Sequence, residues 1–235
     1  MSEKYFVEVE SEESVSAVHH KADSNKWIFF CHGFGSNKEG SYERRCERAV
    51  KEGWNAVRFD FRGNGESDGE FIDQTLSSKI KDLESVIKFF DPENFVTFGM
   101  SFGGKVVFHQ AIDSKPKAVI GKSPATYNDT MDKFVSVVKE KGSYTHFGEK
   151  KIDERFVKDL EKYSFEEVAE ELSVPVALFQ GRSDTTVHPR WTWKAAQNLN
   201  KDVRVEMYEN ESHKMSEVAN ERLLDSMFEF LDRVI

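Results

Sequence analysis

NFVTFGMSFGGKVVFHQAID, from Asn94 to Asp113, contains the turn that decides how the whole chain reads. An apolar strand pattern runs straight into Ser101, and a helical pattern runs straight out of it. Gly99 to Gly103 fits G-x-S-x-G, the mark of a serine held on a strained strand-to-helix turn, where its hydroxyl can attack a carbonyl carbon. Gly99 and Gly103 lack the Cβ that would collide where strand and helix approach closely, and Gly104 extends the clearance. GESDG, Gly65 to Gly69, fits the same five-residue pattern without the context. The strand NAVRFDF ends before it, RGN intervenes, and no helix begins until about Gln74. Glu66 and Asp68 also flank Ser67 with negative charge, which disfavours a developing oxyanion. Ser101 is therefore the candidate nucleophile, and Ser67 a loop residue bracing the rim of the site.

Outward from this turn, short apolar runs alternate with amphipathic stretches. Strands are predicted at 4–10, 14–20, 26–32, 55–61, 94–100, 117–123, 174–180 and 203–209. The first two leave no room for a helix between them and read as antiparallel strands at one edge. From KWIFFCH onward the strands are almost continuously apolar, as expected when both sheet faces are covered. Alternation with helical patterns predicts an α/β fold: a mostly parallel eight-stranded sheet with helices on both faces.

Residues 125–172 break the rhythm with a charged, largely helical insertion. TMDKFVSVVKEKG reads as one helix, KIDERFVKDLEKYSFEEVAEEL as one or two more, and SYTHFGEKKI between them as a small hairpin. An excursion at the carboxyl end of a strand lies where α/β sheets keep their ligand crevice, so the expectation is a cap or lid over a core of residues 1–124 and 173–235.

A serine hydroxyl is a poor nucleophile at neutral pH and needs a base, itself oriented by a third group. In chain order the acid should follow the next-to-last strand and the base the last strand. VPVALFQ runs into GRSDTTVHP, which nominates Asp184; VRVEMYE runs into NESHKM, which nominates His213. Asp202, Glu209 and Glu211 are fallback acids. His188 shares a loop with Asp184, and His19, His20, His109 and His146 lie on the edge strand, a helix and the insertion. Donors for a tetrahedral intermediate are expected from the Phe102 N–H and from the loop His32-Gly33-Phe34-Gly35, where the Phe34 N–H is the choice. His32 and Gly33 support that loop.

Composition excludes other classes. The net charge of −9, with scattered Lys and Arg, argues against a nucleic-acid partner. No apolar run reaches the roughly 18 residues of a membrane span. The start, MSEKYFVEVESEE, lacks the basic and apolar regions of a secretory signal, so a cytoplasmic location is the expectation. Cys31 and Cys46 have no metal-ligand spacing and read as free thiols. Oligomeric state is not readable.

HGFGSNKEG, FDFRGNGESDG, GMSFGG, QGRSDTTV and ESHKM together resemble the α/β-hydrolases, in the serine-hydrolase branch of cinnamoyl/feruloyl esterases, monoacylglycerol-lipase-like and serine aminopeptidase-like enzymes. The resemblance spans nearly the whole chain. It implies a structural role for the R-G-x-G-x-S block, where Asn64 stands in place of a frequent His, and an inserted cap after the sixth strand. It also implies a serine carboxylesterase that acts on short-to-medium acyl esters, needs no metal or organic cofactor, and takes a small-molecule ester. Thioester, amide and C–C cleavage by the same residues remain open, as does a non-catalytic receptor with the same fold. Phe134, Tyr144 and Phe147 of the insertion are candidates to line the acyl pocket.

Overall fold

The computed structural model describes residues 1–10, 12–146, 148–199 and 202–235. The chain begins with β1 (Ser2–Glu10), β2 (Glu13–His20) and β3 (Lys26–Cys31), then α1 (Ser41–Lys51), β4 (Asn55–Phe59), α2 (Leu76–Phe90), β5 (Asn94–Met100), α3 (Phe102–Ser114) and β6 (Val119–Lys122). After a short 3-10 turn come α4 (Asp132–Lys141), β7 (Ser143–His146), β8 (Lys150–Asp153), α5 (Glu154–Leu160) and α6 (Phe165–Glu171). The chain closes with β9 (Val176–Gly181), α7 (Pro189–Asn198), β10 (Val203–Tyr208) and α8 (Glu217–Val234).

Eight strands form one sheet in the order β1-β2-β4-β3-β5-β6-β9-β10. The β1–β2 and β2–β4 pairs are antiparallel, and every later pair is parallel. The expected architecture and antiparallel edge are therefore present. Alternation along the strands explains their unbroken apolar character. Ile28 and Phe30 of β3 pack with Val96, Phe98 and Phe179 on one face, under α1 and α8. Phe29 and Cys31 join Val57, Phe59 and Leu178 on the other face, under α2, α3 and α7. With a side-chain period of two, both sets are buried only because both faces carry helices.

Residues 143–153 form the expected hairpin, Ser143 opposite Asp153 and His146 opposite Lys150. The segment after it holds two short helices rather than one long one. The first stops at Leu160, and Ser164 caps the second through its hydroxyl, which accepts from the Glu167 N–H.

Besides Lys38, which pairs with Asp60, three lysines are buried in this frame: Lys79, Lys105 and Lys122. None has a carboxylate within ion-pair distance among the described residues. Burial penalises their ammonium form and lowers each from 10.5 to about 7. Between those values the unfolded chain keeps a proton that the folded chain releases, so stability rises with pH across that window. Above it the buried thiols of Cys31 and Cys46, pushed up by burial, act in the opposite sense. Urea unfolding should therefore give a stability higher at pH 8.5 than at pH 6.5, by on the order of 2 kcal/mol for each of the three lysines. Lys105→Met should flatten that slope; a profile that is flat or falling in the parent protein contradicts the assignment.

Candidate active site

The turn between β5 and α3 puts Ser101 at φ 55°, ψ −121°, outside the regions an ordinary side chain prefers. Neighbours hold it there. The Ser101 N–H donates to the Lys122 carbonyl at 3.0 Å, and the Ser101 carbonyl accepts from the N–H groups of Gly104 and Ala125, each at 2.9 Å. A Cβ on Gly99 would strike the Gly103 backbone, and one on Gly103 would strike the carbonyls of Cys31 and His32. Both glycines thus do the steric job expected of them, and the second lets the elbow dock beneath the loop that follows β3.

That loop carries His32 to Gly35. His32 is fully enclosed, and burial lowers it to about 3, so the ring is neutral. A neutral imidazole has one donor and one acceptor, and both are used. Nδ1–H donates to the Gly33 carbonyl at 2.9 Å, while Nε2 accepts from the Phe61 N–H at 3.1 Å. A Cβ on Gly33 would lie 3.3 Å from the Ser101 Cβ, which measures how closely the loop covers the serine. Neither the Phe34 N–H nor the Phe102 N–H donates to any acceptor among the described residues. The first amide belongs to the loop over Ser101 and the second to the first turn of α3, where helix donors are free.

Asp184 and His213 come together after β9 and β10. His213 Nδ1 lies 2.7 Å from Asp184 Oδ2. Asp184 also accepts from Gln180 Nε2 at 3.0 Å and from the N–H groups of Thr186 and Val187 at 2.8 and 2.9 Å. Burial alone would raise this carboxyl; the hydrogen bond and charge of His213, with the Val187 and Gln180 donors, outweigh it and hold the group below its ordinary value. The acid is therefore a carboxylate, which only accepts, so His213 Nδ1 carries the proton and Nε2 is left with a lone pair. Gln180 is itself held by Thr192, whose hydroxyl donates to Oε1 at 2.8 Å.

Ser101 and His213 line one cavity of about 920 Å³, together with Gly33, Phe34 and Phe102. No hydrogen bond joins the Ser101 hydroxyl to the imidazole among the described residues, a looseness common in sites without substrate. The insertion supplies an aromatic wall: Phe134 stacks on Phe34 at 5.9 Å between ring centres, and Tyr144 lies against Phe134 at 4.7 Å. Phe134 and Tyr144 line the cavity; Phe147 lies outside the described residues. Arg44, Arg45 and Lys214 add polar groups to the lining.

The remaining candidates have other employment. The Ser67 hydroxyl donates to the Asp60 carbonyl at 2.7 Å and accepts from the Ser16 N–H at 2.8 Å, tying the loop after β4 to β2. His188 caps α7 through Nδ1, and His19 Nε2 lies 2.9 Å from Asn55 Oδ1. Glu209 pairs with Arg182, and Glu211 accepts from the backbone N–H and hydroxyl of Ser216. Gln180, Lys122 and Asn220 were not singled out by sequence. A clue existed only for the first, as the residue opening QGRSD.

A family model described as serine aminopeptidase, S33, matches residues 22–147. The palmitoyl-protein thioesterase ABHD10, mitochondrial, of Pongo abelii and that of Homo sapiens are each 30% identical over 213 residues, covering 84% of this chain and 70% of theirs. This chain is a member of that hydrolase family. The family match contains Ser101 and the His32–Gly35 loop and stops before Asp184 and His213. The α/β-hydrolase fold is shared with Est1E from Butyrivibrio proteoclasticus, solved with ferulic acid bound, at TM-score 0.87, 18% identity and 98% coverage of both chains. Alpha/beta hydrolase domain-containing protein 10 from mouse superposes at TM-score 0.87 with 22% identity, covering 99% of this chain and 100% of that one.

The acid and base loops meet because Gly181 has no side chain: a Cβ there would strike the carbonyls of Glu211 and Ser212. Gly181→Ala should therefore leave a folded protein whose ester turnover falls about a hundred-fold, since a misplacement of about 1 Å at reacting groups costs that much. Wild-type turnover in a correctly folded Gly181→Ala protein would show that this approach is not needed.

Proposed function

We propose that this hydrolase cleaves carboxylic esters of short-to-medium acyl chains through an acyl-enzyme on Ser101. The observation that carries the reading is the carboxylate-bound imidazole of His213 on the same cavity as the strained Ser101. His213 Nε2 takes the hydroxyl proton as the Ser101 oxygen bonds to the acyl carbon. The carbonyl electron pair moves onto oxygen, where the amides of Phe34 and Phe102 receive it. The intermediate collapses, His213 returns the proton to the departing oxygen, and an alcohol leaves. Water then repeats the sequence on the acyl-serine and regenerates the hydroxyl. Asp184 holds the imidazole in the required tautomer and offsets its transient positive charge.

The cavity's lining supports both parts of an ester. The aromatic wall of Phe34, Phe102, Phe134 and Tyr144 suits an apolar acyl chain, and the charged side chains suit a solvated leaving group. Residues 125–172 act as the cap in this reading, since Phe134 and Tyr144 come from them. Among lysines of that segment, Lys139 pairs with Glu161 and Lys150 donates to the Gly35 carbonyl, while Lys133 lines the cavity.

A thioesterase is the second reading, favoured by the thioesterase name of relatives at 30% identity. The step at the acyl carbon is the same, and a thiolate leaves with less help from the general acid.

A rate series over p-nitrophenyl esters from acetyl to palmitoyl, with a feruloyl ester and matching acyl thioesters, separates the two. Short and medium oxygen esters should be turned over best, and Ser101→Ala should lose about four orders of magnitude on every substrate while staying folded. A fluorophosphonate probe should label the parent protein at Ser101. Retained turnover in Ser101→Ala would remove the mechanism, and faster thioester turnover at matched chain length would favour the second reading.

A further inference from the structure

Lys122 ends β6 with its side chain fully buried beneath the loop that carries His213. Its ammonium has no carboxylate within ion-pair distance among the described residues. Instead Nζ donates to the backbone carbonyls of His213 and Lys214, each at 3.1 Å, with Met100 Sδ at 3.9 Å. From the other side Asn220 of α8 donates Nδ2–H to the carbonyls of Lys214, Met215 and Ser216 at 3.1, 3.2 and 2.8 Å. Asn220 is in turn fixed by Arg45, which donates to its Oδ1 at 2.8 Å. Four successive carbonyls, from residue 213 to residue 216, are thus held by two side chains.

This loop needs holding. Met215 sits at φ 58°, a left-handed conformation that a long side chain resists. Such geometry persists where surrounding contacts over-determine it. Asp184 fixes the ring of His213 through Nδ1, but one hydrogen bond leaves the ring free to travel with its backbone. Lys122 fixes that backbone.

We infer that Lys122 is a positioning residue, which sets the imidazole of His213 against Ser101 by binding the two carbonyls of the base-bearing turn. This rests on the acyl-enzyme reading above. Lys122 touches neither substrate nor the reacting atoms. Burying an ammonium costs free energy that a plain hydrophobic residue at the end of β6 would avoid, so the side chain is there for its donors.

The consequence is kinetic. Acylation and deacylation both pass protons through the same imidazole, so its displacement slows both and leaves their ratio, and with it KM, nearly unchanged. Lys122→Met removes the donors and keeps the apolar stem; Lys122→Gln keeps an N–H2 group near the same carbonyls without the charge. On p-nitrophenyl butyrate, Lys122→Met should lower kcat about ten- to a hundred-fold with KM held within about threefold. Lys122→Gln should recover most of the loss. Three results would overturn the assignment: kcat of Lys122→Met within about twofold of the parent, a loss confined to KM, or Lys122→Gln no better than Lys122→Met. Should Lys122→Met fail to fold, Asn220→Ala reads the same turn from its other side. It should give the same fall in kcat at constant KM, and parent-like kinetics there would equally overturn the inference. Ser101→Ala measured alongside keeps the two questions apart. Residual turnover in that variant rejects the acyl-enzyme itself, whereas a dead Ser101→Ala beside a parent-like Lys122→Met rejects only the role of Lys122.

Discussion

Two places where backbone meets backbone with no room for a methyl group govern the carboxyl rim of this sheet. At the first, Gly103 lies against the carbonyls of Cys31 and His32, which seats the Ser101 elbow beneath the loop after β3. At the second, Gly181 lies against the carbonyls of Glu211 and Ser212, which closes the acid-bearing loop on the base-bearing loop. Parallel strands are spaced about 4.8 Å apart, and β3, β5, β6, β9 and β10 follow one another across the sheet. Side chains at the ends of separate strands would otherwise need long reaches to meet. Close approach of the connecting backbones replaces reach with rigidity, and rigidity is what a transition state rewards.

The strain this creates sits where chemistry is expected, and satisfied backbone groups secure it. Ser101 is pinned by bonds to Lys122, Gly104 and Ala125. Met215 is pinned through Asn220 and Ser212. The neutral ring of His32 closes the loop over the serine through both of its nitrogens. Ser101 is held by elements distant in sequence and Met215 by bonds within its own turn and the start of α8, so relaxing either position would require breaking several bonds at once. β6 contributes twice at its last residue: the carbonyl of Lys122 holds the serine's backbone, and its ammonium holds the histidine's. One residue thereby ties the Ser101 turn and the His213 turn to the same strand end.

Much of this was legible because apolar periodicity and glycine placement are local signals. Ser101 could be told from Ser67 by what precedes and follows each, and the hydroxyl of Ser67 turns out to brace β2 instead. That Asp184 and His213 would meet was legible from order along the chain, since each follows an apolar strand in a loop rich in turn residues. Strand limits were less so: β3 stops at Cys31 where a run to His32 was expected, because His32 turns to bond its own loop. Lys122 and Asn220 carried no signal. In sequence the first is a charged residue closing a short strand and the second a polar residue on an amphipathic helix; their meaning arises only when β6 and α8 converge on the turn at residue 213. The pocket wall was half legible, since aromatic residues in an insertion are as common in packing as in binding. Phe134 earns its place through its stacking on Phe34, a contact a hundred residues apart in sequence.

That contact bears on how selectivity and chemistry divide within the molecule. Phe34 contributes its amide to the rim of Ser101 and its ring to the aromatic wall, where Phe102, Phe134 and His146 all lie against it. Lys150 of β8 adds a second tie by donating to the Gly35 carbonyl, one residue further along. The hairpin of the insertion is therefore anchored to the very loop that covers the serine. An acyl chain that packs against Phe34 and Phe134 presses on a side chain whose own backbone N–H is, on the proposed reading, a donor to the oxyanion. Under such an arrangement, fit at the wall and alignment of the amide are not independent. A chain that fills the wall well sets the donor well, so acyl preference should be expressed in turnover as much as in affinity. On the proposed acyl-enzyme reading, the core of the fold carries the attack on the carbonyl, and the inserted segment, through one shared phenylalanine, bears on which acyl group is attacked quickly.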